Sequence, residues 1–91
     1  MEIGKIDVDG TPIPEFLGAA LLYYGIRHLR DDESFSRQSF NPCRISVEEF
    51  LMLDALSDVE LEKIPLIGPK RREKLRRSAI AVREQMNNSN E

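Results

Sequence analysis

Apolar residues recur along this chain at two spacings, and the change between them marks out its elements. Ile6 and Val8 alternate with Lys5, Asp7 and Asp9, and Asp9-Gly10 then supplies turn chemistry. This predicts a short strand or an extended arm. No second segment alternates in the same way, so the strand is expected to pair with another copy or to lie flat on the core. From Glu15 to Arg30 the period becomes helical, with Leu17, Ala20, Leu21, Tyr24 and His28 on one stripe. Phe16, Leu22, Tyr23, Ile26 and Leu29 add apolar surface on the other sides. A helix apolar nearly all round is buried or meets a partner, most simply a second copy of the chain. Gly18 and Gly25 lower its intrinsic propensity, so packing has to hold it.

Residues 31–44 read as a loop, in which Phe35 and Phe40 pin the chain to the core. The acids Asp31, Asp32 and Glu33 oppose the helix dipole and therefore mark the end of the preceding helix. Ser46 to Glu49 forms a capping box that starts a helix running to about Leu56. Ser57 to Glu60 repeats the device and starts a shorter helix, Asp58 to Ile64. From Pro69 a last helix places Leu75, Ala79, Val82 and Met86 on one face. It is expected to fade near Met86 into a disordered polar tail, residues 87–91. The fold class that results is mainly α. A single domain spans residues 1–91, with about four helices after a short N-terminal strand or arm. Residues 1–45 hold the arm, the apolar helix and the loop, and residues 46–86 hold the capped helix and a helical hairpin.

Charge changes the picture, because its average conceals a division. The 91 residues carry 13 bases and 16 acids, net −3. Residues 1–62 hold 13 acids and 5 bases, net −8, and residues 63–91 hold 8 bases and 3 acids, net +5. The basic segment suits phosphate, and the acidic half suits a cationic protein partner. Cys43 is the single cysteine, which excludes an intramolecular disulfide and fits a reducing compartment. The N-terminus lacks the pattern of a secretory signal, and the uncharged run from Phe16 to Ile26 is too short to span a bilayer. A cytoplasmic or nucleoid-associated protein without membrane contact is expected.

Candidate chemistry is sparse. Asp7-Val8-Asp9-Gly10-Thr11 resembles the nucleophile motif of haloacid dehalogenase phosphatases. That chemistry needs a parallel sheet and further acids from distant loops, for which this chain has no room. A calcium loop fails because no third acid precedes Gly10 and no Glu follows at the required spacing. His28 and Cys43 are too few for a zinc site, which needs three or four ligands. No nucleophile, base and orienting group come together, so no enzyme activity, metal or cofactor is expected.

The most informative stretch is Leu61 to Leu75, where an apolar segment gives way to a helix start in which six of the eight residues 70–77 are cationic. Leu61, Ile64, Pro65, Ile67, Gly68 and Leu75, with Pro69-Lys70 following, resemble the helix-hairpin-helix family of nucleic-acid-binding modules. The resemblance covers about 25 residues. It implies backbone binding by the free amides at the second helix's N-terminus, with Gly68 keeping the approach open. Residues matching the expected contact are Ile67, Gly68, Lys70, Arg71, Lys74 and Arg77. Such contacts position a protein on DNA without reading bases. Two positions depart from the family: Leu66 stands at its first glycine, where positive φ is usual, and Arg72 at its small residue, where the helices touch. The expected function is therefore a non-enzymatic DNA-binding protein of low sequence specificity, paired as a homodimer through helix 15–30. The alternative is a protein-interaction module of replication, transcription or recombination machinery, in which the hairpin is structural.

Overall fold

Asp9 and Gly10 turn the N-terminal chain back on itself. Both have positive φ, 53° and 83°, the geometry of the tight turn that matches strand twist. The strands it joins, β1 (Asp7–Val8) and β2 (Thr11–Pro12), pair antiparallel with Val8 opposite Thr11. The partner strand thus lies immediately after the turn, which corrects the expectation of a second copy or a flat-packed arm. Its two residues are too few to show an alternating pattern. The residues before β1 are also held: Ile3 N–H donates to Ile45 O at 2.9 Å and Val47 N–H to Met1 O at 3.0 Å. The computed structural model that shows this describes residues 1–89.

The long helix expected over 15–30 is two helices, α1 (Ile13–Leu17) and α2 (Ala19–Arg30). They break at Gly18, whose φ of 93° and ψ of 131° only glycine adopts without strain. Leu21, Leu22, Tyr23 and Ile26 are buried within one chain, and Gly25 lets α2 approach Leu53. The exposed residues of α1 and α2 are Glu15, Ala19, Arg27, His28 and Arg30. His28 is therefore off the buried stripe. Without a large apolar face on this helix, the homodimer expected through 15–30 loses the surface it was inferred from. The apolar excess is taken up by loop 31–44, where Phe35 stacks on Tyr23 at 5.4 Å and Phe40 meets Tyr23 edge-on at 5.3 Å.

Both serine caps form. Ser46 Oγ accepts from Glu49 N–H at 3.1 Å at the start of α3 (Val47–Asp54), and Ser57 Oγ from Glu60 N–H at 3.3 Å at the start of α4 (Asp58–Glu62). The Glu49 carboxylate meets the Ser46 hydroxyl and Arg30. Each helix is two residues shorter than its pattern. The last helix, α5, runs from Pro69 to Ser89 and so continues past Met86 through residues expected in a polar tail. Residues 90 and 91 of that tail lie outside the described residues. Leu75, Ala79 and Val82 of α5 close the core over Phe50 and Leu53 of α3, Leu61 of α4, and Ile3, Ile6, Ile13 and Ile26 from the N-terminal half. No helix among the described residues is long and apolar enough to cross a membrane.

Candidate nucleic-acid interface

Helix α4, a turn at residues 63–68 and helix α5 follow one another over the stretch where the sequence suggested a helical hairpin. Leu61, Ile64 and Ile67 drop into the core one after another, each buried. Between these anchors the chain turns from α4 into α5. Leu66 takes part in the turn with φ of 70°, a left-handed conformation that favours glycine. For an L-residue this costs about 1–2 kcal/mol. Arg71 holds the conformation from across the turn, its Nη1 donating to Leu66 O at 2.8 Å. Gly68 does not have positive φ and has no neighbour within 4 Å of where a Cβ would stand. The special backbone position of this hairpin is thus occupied by a leucine, and the glycine serves for open approach.

Helix α5 begins at Pro69, and its first internal bond runs from Arg72 N–H to Gly68 O at 2.9 Å. Pro69 has no amide hydrogen, so the amides of Lys70 and Arg71 are those without an acceptor inside the helix. They and the positive end of the helix dipole face the exposed turn.

The six cations of residues 70–77 divide into an inner and an outer set. Arg72 lies at the contact between α4 and α5, only 23% exposed, and pairs with Glu62 at 2.9 Å and Asp58 at 3.8 Å. Its stem lies between the helices while its head reaches out to the acids of α4. Arg76 reaches the end of α3, donating to Asp54 O, Asp54 Oδ1 (2.8 Å), Leu56 O (2.9 Å) and Asp58 Oδ1 (3.1 Å). These bonds, led by the one to the Asp54 side chain, raise its pKa above the ordinary arginine value. Arg72 therefore ties α5 to α4, and Arg76 fastens the pair to the end of α3.

The outer set is Lys70, Arg71, Lys74 and Arg77, all exposed. Lys70, Lys74 and Arg77 recur at helical spacing and climb one face over about 10 Å. Lys74 Nζ sits 5.8 Å from the centre of the Phe16 ring, and Arg77 pairs with Asp9 at 3.1 Å with 59% of its side chain exposed. A pair so exposed is weak and exchangeable. Glu73 is also exposed on this stretch, the one acid within it. Of the residues expected at the interface, Gly68, Lys70, Arg71, Lys74 and Arg77 lie on the surface. Ile67 does not: its side chain is buried in the core and its N–H donates to Ile64 O at 3.3 Å, so its part is to anchor the turn.

Comparison with family models, curated proteins and solved structures finds no match.

Sequence reasoning missed the apolar side of the turn. Ile64, Pro65, Leu66, Ile67 and Pro69 line an open concavity of about 780 Å³, with Lys70 and Arg71 beside it. Leu66 is 51% exposed there. The signal was present in the sequence, as a leucine where the motif requires positive φ. No group of three or more His, Cys, Asp or Glu side chains that could hold a metal ion occurs among the described residues.

Proposed function

We propose that this chain binds the phosphate backbone of DNA through the α4–α5 hairpin. The observation that carries the reading is the conjunction of a left-handed residue at position 66, helix-start amides without an internal acceptor at Lys70 and Arg71, and four exposed cations that run from the turn along the first turns of α5. A phosphate oxygen accepts from those amides and lies at the favourable end of the helix dipole. Lys70 and Arg71 flank it, and Lys74 and Arg77 meet the next phosphates along the strand. The contacts are to the backbone, so sequence preference is low. Arg72 and Arg76 keep their internal partners and position the turn.

About four neutralised phosphates give a slope of log affinity against log salt near −3.6, with weak binding by one hairpin at physiological salt. The test is a fluorescence-anisotropy titration of labelled duplex and single-stranded DNA across a range of salt concentrations. Lys70→Glu with Lys74→Glu is expected to lower affinity at least tenfold and to flatten the slope by about 2. Neither residue fastens the hairpin, so far-UV circular dichroism should be unchanged. Binding that is absent at micromolar protein, or unaffected by the double variant, refutes the reading.

A second reading, a protein-interaction module with a structural hairpin, draws on the internal pairing of Arg72 and Arg76 with Asp54, Asp58 and Glu62. It is the reading left standing if no salt-dependent DNA binding is seen.

A further inference from the structure

Leu66 stands at a position that disfavours it twice. Its φ of 70° strains any residue with a side chain, and glycine would relieve the strain at once. Its side chain gains little from the core, being 51% exposed, whereas Ile64 and Ile67 on either side are buried. Neither the backbone nor the core accounts for a leucine here, and what remains is the surface it presents. That surface borders an open concavity whose walls are the aliphatic and proline faces of Ile64, Pro65, Ile67 and Pro69. Lys63 and Arg71 also line it, and the free amides of α5 open beside it. Glu62, the one acid that lines it, is engaged by Arg72.

An exposed apolar side chain flanked by Lys63, Lys70 and Arg71 suits a partner that presents apolar surface between closely spaced anions. Duplex DNA does so along its minor groove, where deoxyribose faces and base edges lie between two rows of phosphates. Leucine and proline are among the side chains that enter base steps from that groove, unstacking them and bending the duplex. We propose that Leu66 is a wedge that enters the minor groove of duplex DNA at a base step and bends the helix, while Arg71 holds the turn rigid behind it. The inference rests on the DNA-binding reading above and adds what the hairpin does to the bound duplex. Because the wedge unstacks a step, flexible pyrimidine–purine steps are its preferred sites, and stiff A-tracts are poor ones.

The experiment uses the full chain and a short duplex labelled at both ends with a donor and an acceptor dye, carrying a central TA step or an A-tract. Anisotropy reports binding, and energy transfer at saturation reports the bend. The wild-type protein is expected to raise energy transfer on binding and to prefer the TA duplex at least threefold. Leu66→Gly relieves the backbone and should fold at least as well. It is expected to bind with the same salt slope, to leave energy transfer at the free-duplex value and to lose the preference. Binding by the wild type without bending overturns the wedge and leaves the backbone contact intact. The same holds if Leu66→Gly bends the duplex as fully as wild type; the leucine then belongs to a protein-facing surface. No binding in the anisotropy channel refutes the DNA reading itself, and the wedge with it.

Discussion

Replacing Arg76 by methionine keeps most of the side chain's length and removes its charge. Four acceptors lose their donor: the backbone oxygens of Asp54 and Leu56 and the carboxylates of Asp54 and Asp58. They do not weigh equally. Asp58 is 68% exposed, so its share of the ion pair is close to nothing. Asp54 is 9% exposed and loses one of its two cationic partners, while the two carbonyls at the end of α3 must find water where the guanidinium stood. Hydrogen bonds to charged groups are worth about 1.5–3 kcal/mol when removed, less where water can enter. With about 1 kcal/mol for each of the three sheltered acceptors, the expected loss is about 3 kcal/mol. At about 4–8 °C per kcal/mol for a domain of this size, Tm should fall by roughly 12–24 °C. Thermal and urea unfolding followed by circular dichroism measure both quantities. Arg83→Met is the control, since Arg83 also pairs with Asp54, at 2.7 Å, but is 52% exposed and caps no carbonyl. Its cost should be about 0.5 kcal/mol. The double variant leaves Asp54 without either cation and should lose about 1 kcal/mol more than the sum of the singles. An Arg76→Met protein within 0.5 kcal/mol of wild type, or one no weaker than Arg83→Met, refutes the view that Arg76 fastens the hairpin.

Two further predictions concern the N-terminal half. A Cβ added at Gly4 would stand 2.7 Å from Cys43 O and 2.8 Å from Cys43 Cβ, so Gly4→Ala must push the arm off the 42–44 turn; a loss of about 1–3 kcal/mol in urea unfolding is expected, against almost none for Gly68→Ala, which meets open space. The Asp32 carboxylate accepts from the Ser34 hydroxyl at 2.8 Å and the Ser34 amide at 2.9 Å, which holds its pKa below the ordinary aspartate value. A carboxyl depressed in the folded state stabilises it above the unfolded pKa, and that contribution fades as pH falls through the folded pKa. Carboxyl-carbon NMR titration should show Asp32 protonating below the usual aspartate range in wild type and shifting upward in Ser34→Ala; an unchanged midpoint refutes the assignment.

Much of the candidate site was legible because it is built from local chemistry. Leu61, Ile64 and Ile67 alternate with polar or turn residues within seven positions, and Pro69 with the cations after it marks the helix start. The surface positions of Gly68, Lys70, Arg71, Lys74 and Arg77 followed from that. Ile67 was misplaced because a residue beside a binding turn and one anchoring it carry the same apolar signal. The division of the cations was not legible either: Arg72 and Arg76 differ from Lys70 and Lys74 only in what lies opposite them.

The sequence by itself determined where helices begin and where the chain turns. Ser46, Ser57 and Pro69 each act on amides within four residues, and Asp9-Gly10 supplies positive φ through its own two residues. Such signals need no knowledge of the rest of the chain. Tertiary structure decided what the charges and the apolar surplus are for. Arg76 meets acceptors about twenty positions away, Arg77 meets Asp9 across 68 positions, and both sides of α2 are covered by the loop and by α3. It also placed Leu66 in the left-handed conformation between the buried Ile64 and Ile67. Pairings and strains of this kind are set by which surfaces the packed core brings together, and no spacing along the chain encodes them.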